Sequence, residues 1–291
     1  MKVSVILSTY NSPKWLEKVL WGYAQQTHRE FEVVIADDGS KPDTKDLIDR
    51  MRGETHLDIT HVWQKDAGFR KCRILNKAIL QATADYLLIS DGDCIPRRDF
   101  VEVHVRNAAP GYFLSGTYYK LPMSTSELID KVDILSGQCF DLNWLLAHGL
   151  PRKPYRNLRL TATDTQARIL HRLTTTRCNF KGSNASLWRN DALAINGFDE
   201  RMEWGGLDRE FGVRLVNNGI RPRRVWYTAV CIHLDHARGY KNPAIVEANR
   251  SLRKTVAREK LIRTEHGITQ LLDGGYDVGQ MEMPVAVEGI A

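Results

Sequence analysis

The sequence predicts an α/β fold, an open and mostly parallel sheet flanked by helices. Three observations predict it. Short β-rich runs alternate with stretches of helical periodicity in the first third of the chain, the pattern of parallel βαβ units. Each of these runs ends in polar residues. One of them, Asp85–Ser90, passes directly into two carboxylates one glycine apart, Asp91-Gly92-Asp93.

The elements follow in order. Lys2–Ser8 is a short strand closed by the polar turn Thr9–Pro13. Ser12 is expected to cap the next helix with Pro13 at its first position. Trp15, Leu16, Val19, Leu20 and Tyr23 then recur at helical spacing. Strand Phe31–Ala36 ends in Asp37-Asp38-Gly39-Ser40. A polar helix over Asp43–Arg52, a strand at His61–Trp63, a helix over Arg73–Gln81 and the strand Asp85–Ser90 complete this half. The carboxyl edge of the sheet thereby collects Ser8, Thr9, Tyr10, Asp37, Asp38, Asp91 and Asp93. In open α/β sheets that edge is where ligands bind.

Past Asp99 the pattern loosens. Phe113–Tyr119 is expected as one antiparallel strand, and Lys120–Thr176 as amphipathic helical pieces broken by Leu150–Pro154. Tyr155–Arg177, rich in Thr and Arg, reads as a mobile loop. Order returns at Phe180–Ser186, followed by a helix over Asp208–Asn217 and a strand over Trp226–Ile232. Pro243–Leu272 reads as a helical tail carrying Arg250, Arg253, Lys254, Arg258, Lys260 and Arg263. The stretch 273–291 is expected to be disordered.

Composition bounds the function. The 291 residues, 43% hydrophobic and 26% charged, suffice for one large domain with a sizeable core. A net charge of +6 suits phosphate-bearing substrates or an anionic membrane surface. No basic stripe with interleaved aromatics is present, so nucleic acid is disfavoured. Cys72, Cys94, Cys139, Cys178 and Cys231 are scattered, without a C-x-x-C pair. They read as reduced thiols of a cytoplasmic protein. The chain opens on a strand with no secretory pattern, and no apolar run approaches the ~20 residues of a membrane span.

Carboxylates at the end of an apolar strand are costly unless a cation meets them. Two hard oxygen ligands around a small residue suit a divalent ion that also bridges phosphates; the plainer reading is a tight Asp-Gly turn.

The strings VSVILSTYN (Val3–Asn11), VVIADDGS (Val33–Ser40), DAGFRKCRILNKAI (Asp66–Ile79) and YLLISDGDCIP (Tyr86–Pro96) resemble the family 2 glycosyltransferases. The blocks Phe180–Glu200 and Trp204–Phe211 resemble the carboxyl half of β-1,4-galactosyltransferases and of chondroitin-type polymerases. The resemblance implies a Rossmann-like A-type nucleotide-sugar fold over 1–240, with a nucleotide-binding half (1–98) and an acceptor-binding half (99–240), then a helical tail (241–272).

It also implies roles. Ser8, Tyr10 and Asp38 hold the uracil and ribose of a donor, with Asp37 able to exchange roles with Asp38. Arg70 reaches the nucleotide or its phosphates. Asp93 binds Mn²⁺ or Mg²⁺, and Asp91 contacts ribose or the donor sugar. Trp204, Gly205 and Gly206 shape the sugar pocket, and Asp208 is the general base. A histidine completes the metal site; His236 is favoured over His233, which is equally readable as a buried hydrogen-bonded histidine. Leu207 stands where relatives often carry Glu, with Glu210 as the fallback. Gly182-Ser183-Asn184 either brings backbone amides to the sugar or is a tight turn, and Asp208 either acts as base or caps its helix.

The activity implied is metal-dependent inverting transfer of a hexose or N-acetylhexosamine from a UDP-linked sugar to a glycan or glycolipid hydroxyl. Two rivals are a non-catalytic nucleotide-sugar-binding protein and a sugar-phosphate nucleotidyltransferase. The latter calls for a Gly-rich basic loop where this chain has Ser8–Pro13. The basic tail either lies on an anionic membrane, setting the protein peripherally at the inner face, or is a solvated helix face.

Overall fold

The computed structural model describes residues 1–237 and 242–278. Its strands are β1 (Val3–Thr9), β2 (Phe31–Asp37), β3 (Ile59–Trp63), β4 (Tyr86–Asp91), β5 (Cys94–Pro96), β6 (Tyr112–Ser115), β7 (Thr117–Lys120), β8 (Asn184–Trp188), β9 (Arg221–Arg224) and β10 (Val230–His233). A seven-stranded sheet has the order β3-β2-β1-β4-β8-β6-β9, and a three-stranded sheet the order β5-β10-β7. In the large sheet only β8 runs against its neighbours. Val5, Leu7, Val33, Ile35 and Leu88 pack into one core, and Ile6, Val34, Leu87 and Ile89 into the other. Both faces are therefore covered, which is why these strands read as unbroken apolar runs.

Register carries the site. Ser8 lies opposite Asp91 on β4, and Thr9 opposite Asp37 on β2, so the first three polar strand ends are level. In the small sheet β10 pairs His233 with Cys94 on β5, and the Leu234 amide donates to the Asp93 carbonyl at 2.9 Å. That pairing sets two histidines from the far end of the chain beside the D-G-D turn.

Several expectations are corrected. Phe113–Tyr119 is two strands in two sheets: β6 is antiparallel to β8, and β7 is parallel to β10. The break falls at Gly116, where a Cβ would sit 2.1 Å from the Asn184 side chain. Tyr155–Arg177 is not a loop. It forms helices Pro154–Thr161 and Asp164–Leu173, the second opened by a reciprocal cap between Thr163 and Gln166. The strand expected at Trp226 starts at Val230, and β9 was not expected. Ser12 precedes its helix, but its hydroxyl donates to the Tyr10 carbonyl instead of capping.

The tail is part of the body. Helix Pro243–Arg258 packs on helix Leu207–Asn217, and Asn217 Nδ2 donates to the carbonyls of Val256 and Leu261 at 3.1 and 2.8 Å. Helix Ile268–Asp273 buries Ile268 and Leu271. Of the stretch expected to be disordered, 273–278 is described, and Tyr276 accepts from Gln81 at 3.3 Å; 279–291 lie outside the described residues. No helix among the described residues is long and apolar enough to cross a membrane.

Candidate active site

A cavity of about 1530 Å³ opens along the carboxyl edge of the large sheet. Strand order fixes its layout. Asp38 follows β2, Ser8 and Tyr10 end β1, Asp91 and Asp93 follow β4, and Gly182 precedes β8 with Asp208 beside it.

At the β2 end, Asp38 accepts from Gln64 Nε2 at 2.6 Å and from the Arg70 amide at 2.8 Å. Burial nevertheless pushes its pKa up to about 6. Tyr10 is half exposed in the cavity mouth and donates to Asp66 at 2.9 Å. Asp37 is not a cavity residue. It is fully buried, accepting from the Ser40 amide at 2.8 Å and meeting His61 Nε2 at 2.9 Å, so it builds the turn that aims Asp38. The Arg70 side chain does not line the cavity; its contribution is the backbone amide on Asp38.

At the centre, Asp91 accepts from Ser8 Oγ at 2.8 Å and from Lys71 Nζ at 2.6 Å. Lys71 opens helix Lys71–Gln81. Burial works against its ammonium, but Asp91, Asp208 and Asp93 outweigh burial and raise its pKa. One cation thus sits among three carboxylates. Gly92 lies close under β1, its amide on the Ser8 carbonyl at 2.8 Å; a Cβ there would stand 3.0 Å from that carbonyl oxygen.

Asp93 Oδ2 lies 3.4 Å from His233 Nε2 and 3.1 Å from His236 Nε2. The two imidazoles are stacked, centroids 5.6 Å apart. Burial opposes the Asp93 charge, yet His236 and His233 hold its pKa below the ordinary carboxylate value. Donors bound at ~2.1 Å around one octahedral ion stand roughly 3 Å apart, so this spacing fits a shared divalent ion. The donor set, one carboxylate and two imidazoles, suits Mn²⁺. His233 Nδ1 is buried without a hydrogen-bond partner, while His236 Nδ1 meets the Ala237 carbonyl at 2.8 Å. Cys94 stands within the same cluster as Asp93 and His233, but burial drives its pKa well up. A thiol is a poor ligand for a hard ion.

At the β8 end, Asp208 sits in the first turn of helix Leu207–Asn217, after Gly205 and Gly206 at φ 109° and 97°. Those left-handed values favour glycine. The Gly182 amide bonds the Asp208 carboxylate, and a Cβ on Gly182 would stand 2.6 Å from Asp208 Oδ1. Oδ1 itself is buried without a hydrogen-bond partner. Burial raises the Asp208 pKa against the pull of Lys71, and Asp91 adds to the rise. Asp208 is not the cap of this helix: the N-cap is Gly206.

Two residues expected at the sugar are elsewhere. Asn184 is fully buried; its Nδ2 donates to the Thr117 and Ala229 carbonyls at 2.9 Å each, and its Oδ1 meets His104 Nε2 at 3.0 Å. It ties the two sheets together. Glu210 is fully buried in a two-pronged pair with Arg214, at 2.6 and 2.9 Å. Trp204, Gly205 and Gly206 do line the cavity. Asn249 of the tail helix holds that loop, its Nδ2 within 3.1–3.4 Å of the carbonyls of Glu203, Trp204 and Gly205.

Residue patterns missed Lys71 and Asn249. The basic Arg70-Lys71 pair at a helix start was a signal for the first. Nothing in the sequence marked the second, since its partners are backbone carbonyls more than forty residues away.

Two family models match the chain. Glycosyl transferase family 2 covers residues 4–129, and the N-terminal domain of galactosyltransferase covers 173–237; the two spans hold Asp38, Asp91, Asp93, Asp208, His233 and His236. Residues 4–129 are thus similar to glycosyl transferase family 2. Curated relatives include a chondroitin synthase from Pasteurella multocida, 28% identical over 89% of this chain and 27% of that protein. Another, from Escherichia coli, is 28% identical over 77% of this chain and 33% of that protein. The chain spans about a third or less of the length of these relatives. A validoxylamine A glucosyltransferase from Streptomyces hygroscopicus is 29% identical over 82% of this chain and 57% of that protein. Among solved structures, Staphylococcus aureus TarS in complex with UDP-GlcNAc superposes with a TM-score of 0.61 at 16% identity, over 93% of this chain and 69% of that one. The mannosyltransferase PcManGT from Pyrobaculum calidifontis, with GDP-Man and Mn²⁺, gives 0.55 at 20%, over 94% and 76%. The fold of this chain is the A-type nucleotide-sugar fold of these glycosyltransferases.

Proposed function

We propose that the chain is a metal-dependent, inverting glycosyltransferase. It moves a hexose or N-acetylhexosamine from a UDP-linked sugar to a hydroxyl of a glycan or glycolipid. The observation that carries this reading is the order of groups along one sheet edge: Asp38, then Asp91 and Asp93 with two histidines, then Asp208 with a free carboxylate oxygen. Similar structures solved with UDP-GlcNAc and with GDP-Man and Mn²⁺ support it.

Asp38 accepts from the N–H edge of the base, and Ser8 and Tyr10 flank the ribose. Asp91, fixed by Ser8 and Lys71, meets the ribose or donor sugar. A divalent ion held by Asp93, His236 and His233 would supply charge neutralisation for the departing diphosphate. Lys71 adds a fixed positive charge among the three carboxylates. Asp208 takes the acceptor proton as the hydroxyl attacks; its raised pKa brings its basicity closer to that task. Trp204–Gly206, braced by Asn249, forms the sugar wall. Exposed Lys254, Arg258 and Lys260 on the far side of the tail fit peripheral contact with an anionic inner membrane face.

The test is UDP binding by calorimetry with Mn²⁺ present and chelated, in the native chain and in Asp93→Ala. We expect tight binding only with the ion, and roughly tenfold or greater weakening in Asp93→Ala at fixed Mn²⁺. Equal UDP affinity in chelator and in Mn²⁺ would remove the metal from the proposal.

A further inference from the structure

A second cavity, of about 610 Å³, adjoins the first: Asn179, Phe180 and Arg209 belong to both walls. Among the described residues its charged lining is Arg172, Arg177, Arg209, Arg223 and Arg224, with no Asp or Glu. Among the described residues none of the five meets a carboxylate. Arg223 and Arg224 are steadied by backbone carbonyls, of Asn107 at 2.9 Å and of His171 and Thr176. Arg224 Nε is buried without a hydrogen-bond partner.

Arg172, Arg177 and Arg209 are exposed, and Arg223 and Arg224 are half-buried over the rings of Tyr112 and Trp226, so five guanidinium groups present one concentrated positive surface that attracts an anion. The positive field reaches two neighbours: burial first and then Arg224 lowers the His171 pKa, and burial first, then Arg159 and Arg209, lowers that of Lys181. Guanidinium is also the side chain best matched to planar carboxylates and to phosphates.

Sheet order says which ligand this is. The nucleotide end lies at β2 and β1, the metal cluster at β4 and the base beside β8. The arginine cavity lies one step further, over β6 and β9, which contribute Phe113 and Pro222–Arg224. Strands are ~4.8 Å apart, so β6 lies roughly 5 Å and β9 roughly 10 Å beyond β8, on the side away from the diphosphate. Arg209, next to Asp208, stands at the junction.

We propose that this cavity is an acceptor subsite, and that the acceptor is an anionic glycan bearing a carboxylate or phosphate within a few residues of the hydroxyl to be glycosylated. The inference rests on the transferase reading above and adds the acceptor's charge and direction of entry.

The experiment uses the full chain loaded with UDP and Mn²⁺, so the donor end is filled. Three probes are titrated by calorimetry: a tetrasaccharide alternating hexuronate and N-acetylhexosamine, its carboxyl-reduced neutral counterpart, and a glycerol-phosphate trimer. The first and third separate a carboxylate acceptor from a phosphate one. At least one anionic probe should bind, at least tenfold more tightly than the neutral sugar, and more weakly as salt rises. Arg172→Ala/Arg177→Ala should weaken it about tenfold or more, while its unchanged UDP affinity certifies the fold. Equal binding of charged and neutral sugars, no binding of either anionic probe, or native-like binding by the double variant would each overturn the proposal. So would a parallel loss of UDP affinity, which would give these arginines to the diphosphate. Loss of binding to phosphatidylglycerol vesicles with glycan binding intact would make the patch a membrane face instead. Failure of the native chain to bind UDP with Mn²⁺ would instead strike the donor reading itself.

Discussion

At the scale of single residues, the site holds carboxylates in states that folding alone does not favour. Asp38 is the clearest case. Burial raises its pKa to about 6, so the folded chain keeps its proton to higher pH than the unfolded chain does. Its contribution to stability is full below the ordinary pKa near 4 and is lost as pH rises through about 6. Asp38→Asn should therefore raise the melting temperature at pH 7.5 and leave it nearly unchanged at pH 4. The amide can still be satisfied, because Gln64 Oε1 is buried without a partner and the Gln64 amide can turn to meet it. Uridine affinity should fall in the same variant, since the acceptor for the base N–H is compromised. Thermal melts at the two pH values check the first claim; an equal shift at both would contradict it. Such a residue trades stability for function. The D-G-D pair, Asp208 and the two histidines could be singled out from residue type and spacing, and the structure brings them to one cavity. Asp37, Asn184 and Glu210 were misread because type alone does not tell a buried hydrogen-bonded carboxylate or amide from a cavity one. The deciding contacts, His61, Thr117 with Ala229, and Arg214, come from pairing and packing.

At the scale of elements, the parallel half was readable because each strand is buried on both faces and each ends in polar residues. The second half was not, for two reasons. A single glycine, Gly116, splits one apolar run between two sheets. A Thr- and Arg-rich stretch forms helices because a cap and one inward stripe suffice, with Ala167 fully buried. The tail is helical, as its sequence predicted, but its packing on the sugar loop did not show in the sequence. Asn249 makes it a brace for Trp204–Gly206, donating to three carbonyls. Asn249→Ala leaves them without that donor and should cost about 1–3 kcal/mol of stability. It should also lower kcat while UDP affinity holds, because the loop carries the sugar wall and leads into Asp208. Unaltered turnover in a measurably destabilised variant would reduce the helix to a structural role.

At the scale of the whole molecule, the sheet lays out a reaction coordinate. On the proposed reading, its carboxyl edge carries in turn the base-recognising Asp38, the metal cluster, the general base Asp208 and the arginine cavity, one or two strands apart at each step. The central claim is that Asp208 acts only as the acceptor loses its proton. Asp208→Asn keeps the shape and the Gly182 contact but removes the base. The measurement is UDP affinity by calorimetry beside turnover of the UDP-sugar with an acceptor that the native chain uses. The account predicts UDP affinity within about twofold of native and a fall in kcat of ~10²–10⁴-fold, matched in kcat/KM as for an interaction made only in the transition state. Near-native turnover in Asp208→Asn, or loss of UDP binding with it, would contradict the account.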